Sequence, residues 1–133
     1  MGTRADFYVG RGETAEWLGS IGWDGHPDGI DDEVLAASTE AEYRERATAF
    51  LVKENGIFPS DGWPWPWDDS RTTDYAYAFD GGSVLASRYG HAWFTANGEE
   101  PEDDGRKVAV FPNMKSIQKV NYGPQSGTIF VTT

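Results

Sequence analysis

Cysteine is absent from this chain of 133 residues. Its absence excludes disulfides, thiolate zinc sites and a thiol nucleophile, and it agrees with a reducing compartment such as the cytoplasm. Histidine is nearly as scarce, because only His26 and His91 are available as imidazole bases. Few of the common routes to nucleophilic or metal-assisted catalysis therefore remain open.

Long apolar runs are also absent. No stretch approaches the roughly 20 apolar residues of a membrane span, and the opening "MGTRADFYVG" lacks the basic start and apolar run of a secretion signal. The length fits one domain, 1–133, that can bury a core without cross-links. We expect a single-domain protein that does not enter a membrane.

Positive charge is the third scarcity: 22 acidic residues stand against 11 basic ones, a formal net charge of −11. Such a chain repels nucleic acid and anionic membranes and attracts basic protein surfaces. Ten of the acids form two runs without a basic residue: Asp24, Asp28, Asp31, Asp32 and Glu33, then Glu99, Glu100, Glu102, Asp103 and Asp104. A partner surface rich in lysine and arginine is the expected target, and direct binding to nucleic acid is not expected.

Period-two patterns predict strands near both ends of the chain. "RADFYVG" sets Phe7 and Val9 on one face, and "AEWLGSIGW" would set Trp17 and Trp23 on one face of a second strand. "TDYAYAFDGGSVLASRY" predicts a hairpin that turns at 80–82, with "HAWF" as a candidate extension. "KVAVF" and "GTIFVT" predict two further strands, separated by one helical turn or a short helix from Met114.

One main helix is predicted between these strands, after a short helical segment at 31–37. Thr39 and Glu42 have the spacing of a capping box at its start. The apolar stripe of this helix consists of Tyr43, Ala47, Phe50 and Leu51. The helix is expected to end at "ENG", with Gly56 at positive φ. The fold class is therefore α+β, with a mostly antiparallel sheet and the main helix packed on one face.

The segment "GWPWPWDDS" at 62–70 holds three of the six tryptophans and allows two interpretations. The prolines keep the backbone stiff and extended, so that the indoles can fold back as a strap over the sheet. Alternatively, Trp65 and Trp67 stay exposed beside Asp68 and Asp69 and anchor a partner. The pattern favours the strap, because indoles are usually buried, and both interpretations require at least one buried tryptophan.

Catalytic and metal-binding patterns are weak. Asp24, His26 and Asp28 alternate in "DGHPDG", but these are also ordinary turn residues. No serine lies in a nucleophile elbow, and "GRG" is too short for a phosphate-binding loop. We therefore expect no catalytic residue, no metal and no cofactor. A binding protein explains these patterns better than an enzyme does.

Three segments carry a resemblance: "MGTRADFYVGRGETAEWLGSIGWDGHPDGI", "DGWPWPWDDSRTTDYAYAFDGG" and "EPEDDGRKVAVFPNM". Together they resemble a family of small, mostly uncharacterised proteins of bacteriophages and prophages. The resemblance implies a location in the cytoplasm of the bacterial host. It also implies an accessory role, since small acidic phage proteins are often inhibitors of host defence, including anti-CRISPR proteins.

The leading hypothesis is a non-enzymatic inhibitor that binds the basic surface of a host nucleic-acid-handling complex. Its candidate partner-binding residues are the two acidic runs, with Trp65, Trp67, Asp68 and Asp69 as the anchor. Two alternatives stay open, a small metal-dependent hydrolase and a self-assembling phage structural component. The oligomeric state is not predicted.

Overall fold

The sheet forms from the segments with alternating apolar residues. In the computed structural model, which describes residues 2–102 and 105–116, five strands lie in the order β2-β1-β3-β4-β5. Their bounds are β1 Ala5–Val9, β2 Glu16–Ile21, β3 Tyr75–Asp80, β4 Ser83–Arg88 and β5 Phe94–Thr95. Only the β1–β3 pair is parallel among these neighbours, so the sheet is mixed and mostly antiparallel. The predicted α+β class is confirmed.

The predicted hairpin is present and explains why β3 and β4 pair so regularly. Asp80 pairs with Ser83, so the turn consists of Gly81 and Gly82 alone, with φ of 66° and 86°. Positive φ at both central residues is the type I′ geometry that suits the twist of paired strands, and glycine adopts it without a steric penalty. The "HAWF" segment contributes β5, which pairs with β4 through Phe94 and Thr95.

The second strand differs from its predicted alternation. Phe7 pairs with Gly19 whereas Tyr8 pairs with Trp17, so Leu18 is an extra residue that forms a bulge. The bulge turns Trp17 to the face of Tyr8, while Ile21 stays with the helices on the opposite face. Strict alternation was therefore the wrong rule for this strand.

Two helices cover one face of the sheet. α1 spans Asp32–Leu35 and α2 spans Glu40–Lys53, and the stripe predicted for α2 is buried. Thr39 caps α2 by accepting the N–H of Glu42 at 3.1 Å. The Glu42 carboxylate accepts the N–H of Ser38 at 3.0 Å, so the capping box reaches one residue farther back than predicted. The helix ends at the predicted place, but Asn55 takes the positive φ that was predicted for Gly56.

The opposite face is covered by chain without regular secondary structure. Its core contains Tyr8, Trp17, Trp63 and Phe111, and the tryptophan-rich segment lies over it. The predicted strand at 107–111 does not form, because this segment bonds to a loop: the Ala109 N–H donates to Gly90 O at 3.0 Å. One 3-10 turn, Met114–Ser116, follows as predicted, and "GTIFVT" at 127–132 lies outside the described residues.

No helix in the described ranges is long and apolar enough to cross a membrane.

Candidate binding surface

The first acidic run lies on the surface between β2 and α2. Asp24 is exposed, at a positive φ of 61°, and the side chain of Asp28 is 95% exposed. Between them, His26 caps the 3-10 turn Pro27–Gly29, because its Nδ1 accepts the N–H of Asp28 at 3.1 Å. The capped turn thus presents Asp28 to solvent, while the imidazole Nδ1 of His26 is occupied by the backbone of the turn.

The end of this run is only partly free to meet a partner. The Asp31 carboxylate accepts a hydrogen bond from the Lys53 ammonium at 2.7 Å, and this bond raises the pKa of Lys53. Asp32 and Glu33 follow at the start of α1 and are exposed. Asp31 therefore fixes α1 against α2, and its two neighbours carry the outward charge.

The second acidic run begins after β5. Glu99 and Glu102 are exposed, and Asp103 and Asp104 lie outside the described residues. Glu100 accepts the hydroxyl of Tyr75 at 3.0 Å and lies 3.8 Å from the Nε of Arg88. Burial, followed by the bond to Glu100, raises the pKa of Tyr75 to about 12. Tyr75 therefore stays a neutral donor to this run at physiological pH.

The two acidic runs meet at Tyr75. The ring of His26 packs edge-on against the ring of Tyr75, with centroids 5.4 Å apart, while the hydroxyl of Tyr75 holds Glu100. The neighbouring Tyr77 donates its hydroxyl to Gly25 O at 2.6 Å, which ties the first run to the sheet. Segments more than sixty residues apart in sequence are thereby brought to one edge of the molecule.

The tryptophan-rich segment is a strap on the other face of the sheet. Each indole N–H donates within the protein: Trp63 to Trp67 O at 2.8 Å, Trp65 to Asp6 Oδ1 at 2.7 Å and Trp67 to Thr73 Oγ1 at 2.9 Å. Trp63 is buried, whereas Trp65 and Trp67 stack on each other half-buried, with centroids 5.7 Å apart. The strap interpretation describes these contacts better than the exposed anchor does.

The strap also accounts for the carboxylates that follow it. Asp69 caps the 3-10 turn Ser70–Thr72 by accepting the N–H of Arg71 at 2.9 Å, and its side chain is only 17% exposed. Asp68 is exposed but lies with the strap. Trp65, Trp67, Asp68 and Asp69 are thus separated by the sheet from the first acidic run, and the structure does not join them into one surface.

A buried carboxylate, which the sequence patterns did not single out, holds the strap. Asp6 is fully buried and accepts three donors: Ser20 Oγ at 2.5 Å, Ser70 Oγ at 2.6 Å and Trp65 Nε1 at 2.7 Å. Burial raises the pKa of Asp6, and these hydrogen bonds oppose the shift. The only sequence signal was its place on the face of Tyr8, opposite Phe7 and Val9.

One exposed aromatic residue was missed because of the period-two pattern. Trp23 was expected to share a face with Trp17, but β2 ends at Ile21 and Trp23 is 64% exposed. It lies directly before Asp24 and close to Gly2, where an added Cβ would approach its ring to 2.6 Å. The glycines at 22 and 25 were the available signal that the chain turns here.

The candidate metal ligands are not gathered into a site in the described structure. Asp24, His26 and Asp28 belong to no group of three or more histidine, aspartate or glutamate side chains placed to hold a metal within 2–102 and 105–116. His26 and Asp28 are neighbours, 3.7 Å apart, on an exposed turn. A hydrolase built on this segment gains no geometric support.

Comparison of the chain with protein-family models, curated proteins and solved structures found no match. The resemblance to small phage proteins therefore stays a prediction.

Proposed function

We propose that this protein is a non-enzymatic inhibitor that binds a basic surface of a host nucleic-acid-handling complex. The observation that carries the proposal is the meeting of the two acidic runs at Tyr75, with the exposed Trp23 directly before Asp24 of the first run. The ring of Tyr75 contacts His26 within the first run, and its hydroxyl bonds to Glu100 of the second. The resemblance to small acidic phage proteins supplies the biological context, with anti-CRISPR proteins as the model.

Most of this negative charge is not paired with lysine or arginine in the part of the chain that the structure describes. No lysine or arginine among the described residues forms an ion pair with six of the acids: Asp24, Asp28, Asp32, Glu33, Glu99 and Glu102. Proteins that bind nucleic acid present grooves of lysine and arginine to its phosphates. Unpaired carboxylates on one edge can approach such a groove with steered association and compete for the same cations.

Trp23 supplies the apolar contact that charge alone lacks. Exposed tryptophans surrounded by polar residues are common binding hot spots, because a large ring buries much area at small entropic cost. Trp23 replaces Trp65 and Trp67 as the proposed anchor, since the latter donate their indole N–H groups to Asp6 and Thr73. The proposed surface is thus defined by Trp23, the outward acids of the first run and the described acids of the second.

The test is a pull-down from nuclease-treated bacterial lysate with two variants of equal charge change. Asp24→Lys with Asp28→Lys alters the proposed surface, whereas Glu13→Lys with Asp68→Lys alters two exposed acids elsewhere. We expect capture of a nucleic-acid-binding complex that is lost in the first variant, retained in the second and released by added salt. Trp23→Ala should weaken capture without lowering the melting temperature.

Other results would overturn the proposal. Equal loss in both double variants would show a nonspecific charge effect, and loss only in the second would point to the strap face. Recovery of the protein alone, as a defined multimer, would favour the self-assembling alternative.

A further inference from the structure

An open cavity of about 680 Å³ lies at the edge of the sheet where β1 and β3 begin and β4 ends. Its volume falls within the range of roughly 300–1,000 Å³ typical of small-molecule sites. The lining includes two guanidinium groups, Arg4 and Arg88, and one carboxylate, Asp74. Glu100 lies just outside the lining, 3.8 Å from the Nε of Arg88, so Arg4 is the cation of the wall that is least balanced by carboxylates beyond Asp74.

Arg4 is held in place before any ligand arrives. Its Nε donates to Asp74 Oδ2 at 3.2 Å, and its backbone N–H donates to the same oxygen at 2.9 Å. Its guanidinium lies 5.1 Å from the ring centroid of Trp67 and 5.9 Å from that of Trp65. The strap and Asp74 together fix the orientation of the guanidinium and reduce the entropy lost on binding.

The outer edge of the same guanidinium is available. Neither Nη1 nor Nη2 of Arg4 makes a hydrogen bond within the described residues, and the side chain is 40% exposed. A guanidinium edge with two parallel N–H groups matches a carboxylate or phosphate, which accepts both bonds at once. The chemistry of the cavity therefore favours an oxyanion at Arg4.

Aromatic rings form the rest of the wall. Tyr75 and His26 pack edge-on at 5.4 Å, and Tyr89 and His91 pack edge-on at 6.2 Å. These two pairs offer ring faces for stacking and ring edges for contact with a flat ligand. The ligand class that uses both the guanidinium and these walls is a flat ring that carries an oxyanion.

Tyr89 takes an unusual backbone conformation to occupy its place. Its φ of 54° lies in the left-handed region, which a bulky residue adopts only when the surroundings hold it there. Its N–H donates to Asp74 O at 2.9 Å, and the Lys107 ammonium lies 3.4 Å from its ring centroid and donates to its carbonyl. Strain of this kind tends to gather at ligand sites.

From these observations we infer that the cavity is a binding site for a small aromatic molecule that bears a carboxylate or a phosphate. The cavity adjoins the proposed protein-binding surface, since His26 and Tyr75 contribute to both, but the inference does not rest on the proposed function. Arg4 binds the oxyanion, and Tyr75 and Tyr89 contact the ring.

The probes are phenyl phosphate, benzoate and the neutral benzamide, titrated into the full-length protein while amide signals are followed by NMR. We expect phenyl phosphate and benzoate to shift the amides of Thr3, Tyr75 and Tyr89, and benzamide to bind at least tenfold more weakly. Whichever of the two anions binds more tightly identifies the oxyanion. Inorganic phosphate, used alone, measures what the ring contributes.

Arg4→Gln should weaken both anions at least tenfold, and Arg4→Lys should weaken them by a smaller factor because it keeps the charge without the planar fork. Arg11→Gln is the matched control. Arg11 is also 40% exposed, also donates its Nε to an aspartate, at 2.8 Å, and also lies over a tryptophan, Trp93, but it does not line the cavity. The Arg11→Gln variant should bind both anions as tightly as the unaltered protein does.

Three results would overturn the inference. They are no shift at 20 mM of either anion, equal binding of benzamide, or equal weakening by Arg11→Gln and Arg4→Gln. Melting curves of all three variants identify one that no longer folds, and in that case the ratio of benzoate to benzamide binding by the unaltered protein still decides the result.

Discussion

At the scale of single residues, Asp6 combines complete burial with convergent hydrogen bonds. Its donors extend outward in two further steps: Trp17 donates to Ser20 Oγ at 3.0 Å, and the Tyr8 hydroxyl lies 2.7 Å from Ser70 Oγ. Because both serine hydroxyls donate to the carboxylate, these outer groups satisfy the serine oxygens. A buried charge without such partners would be strongly destabilising.

The raised pKa of Asp6 predicts how stability depends on pH. An unfolded aspartate titrates near pH 3.9, so above that pH the folded protein retains a proton that the unfolded chain has lost. The free energy of unfolding should therefore fall as pH rises from about 4 through the raised native pKa. Urea titrations of the unaltered protein and of Asp6→Asn, compared at each pH, isolate this effect. The difference in free energy of unfolding between the unaltered protein and Asp6→Asn should shrink as pH rises. A difference that grows with pH would contradict a raised pKa of Asp6.

At the scale of elements, the strap has no regular hydrogen-bonding pattern and depends on its indole N–H groups. Trp63 packs edge-on against Trp17 at 5.2 Å, which seals the start of the strap against β2. Trp65 and Trp67 then bond to residues of very different charge, the Asp6 carboxylate and the Thr73 hydroxyl. Hydrogen bonds to charged groups contribute more than those between neutral groups.

Two matched substitutions test this difference. Trp65→Phe and Trp67→Phe each keep an aromatic ring and remove one N–H donor. We expect Trp65→Phe to lower the free energy of unfolding by about 2 kcal/mol and Trp67→Phe by about 1 kcal/mol, measured by urea denaturation. Equal losses would mean that ring size, not the bond to Asp6, decides the cost.

Helix α2 gives a second test at this scale. Thr39→Ala removes the side-chain acceptor for the Glu42 N–H and should cost about 1 kcal/mol. Thr48→Ala is the control, because Thr48 is exposed within the same helix and alanine is the better helix former there. It should leave stability unchanged or raise it by a few tenths of a kcal/mol. Thermal melts followed by circular dichroism report both changes, and similar losses at the two positions would argue against the cap.

At the scale of the whole molecule, the net charge of −11 sets the long-range behaviour. Part of the charge is paired within the fold: Arg44 of α2 binds Glu40 of the same helix and Glu16 of β2, each at 2.7 Å. The surplus remains at the acidic runs, where carboxylates of like sign repel one another. The same surplus that would attract a basic partner therefore opposes the compact state.

Salt should relieve that repulsion. Raising NaCl from 20 mM to 500 mM is expected to raise the melting temperature by about 2–5 °C, because screening weakens repulsion between exposed charges. Asp24→Lys with Asp28→Lys removes four units of negative charge, so this variant should show a smaller rise. A melting temperature that falls with salt in the unaltered protein would mean that surface ion pairs outweigh the repulsion.

Local chemistry alone determined much of the fold. The Gly81-Gly82 turn, the cap at Thr39 and the stripe of α2 depend on neighbours within a few residues, so the sequence predicts them directly. The high acidity is likewise a property of composition and needs no coordinates.

Tertiary structure decided what depends on distant partners. The bulge at Leu18, the parallel pairing of β1 with β3 and the loss of the strand at 107–111 follow from packing between segments far apart in sequence. The partners of Asp6 and the meeting of the acidic runs at Tyr75 likewise come from the folded chain. Periodicity shows which way a side chain faces within its own strand, but which segment lies opposite is set by the free energy of the whole packed core.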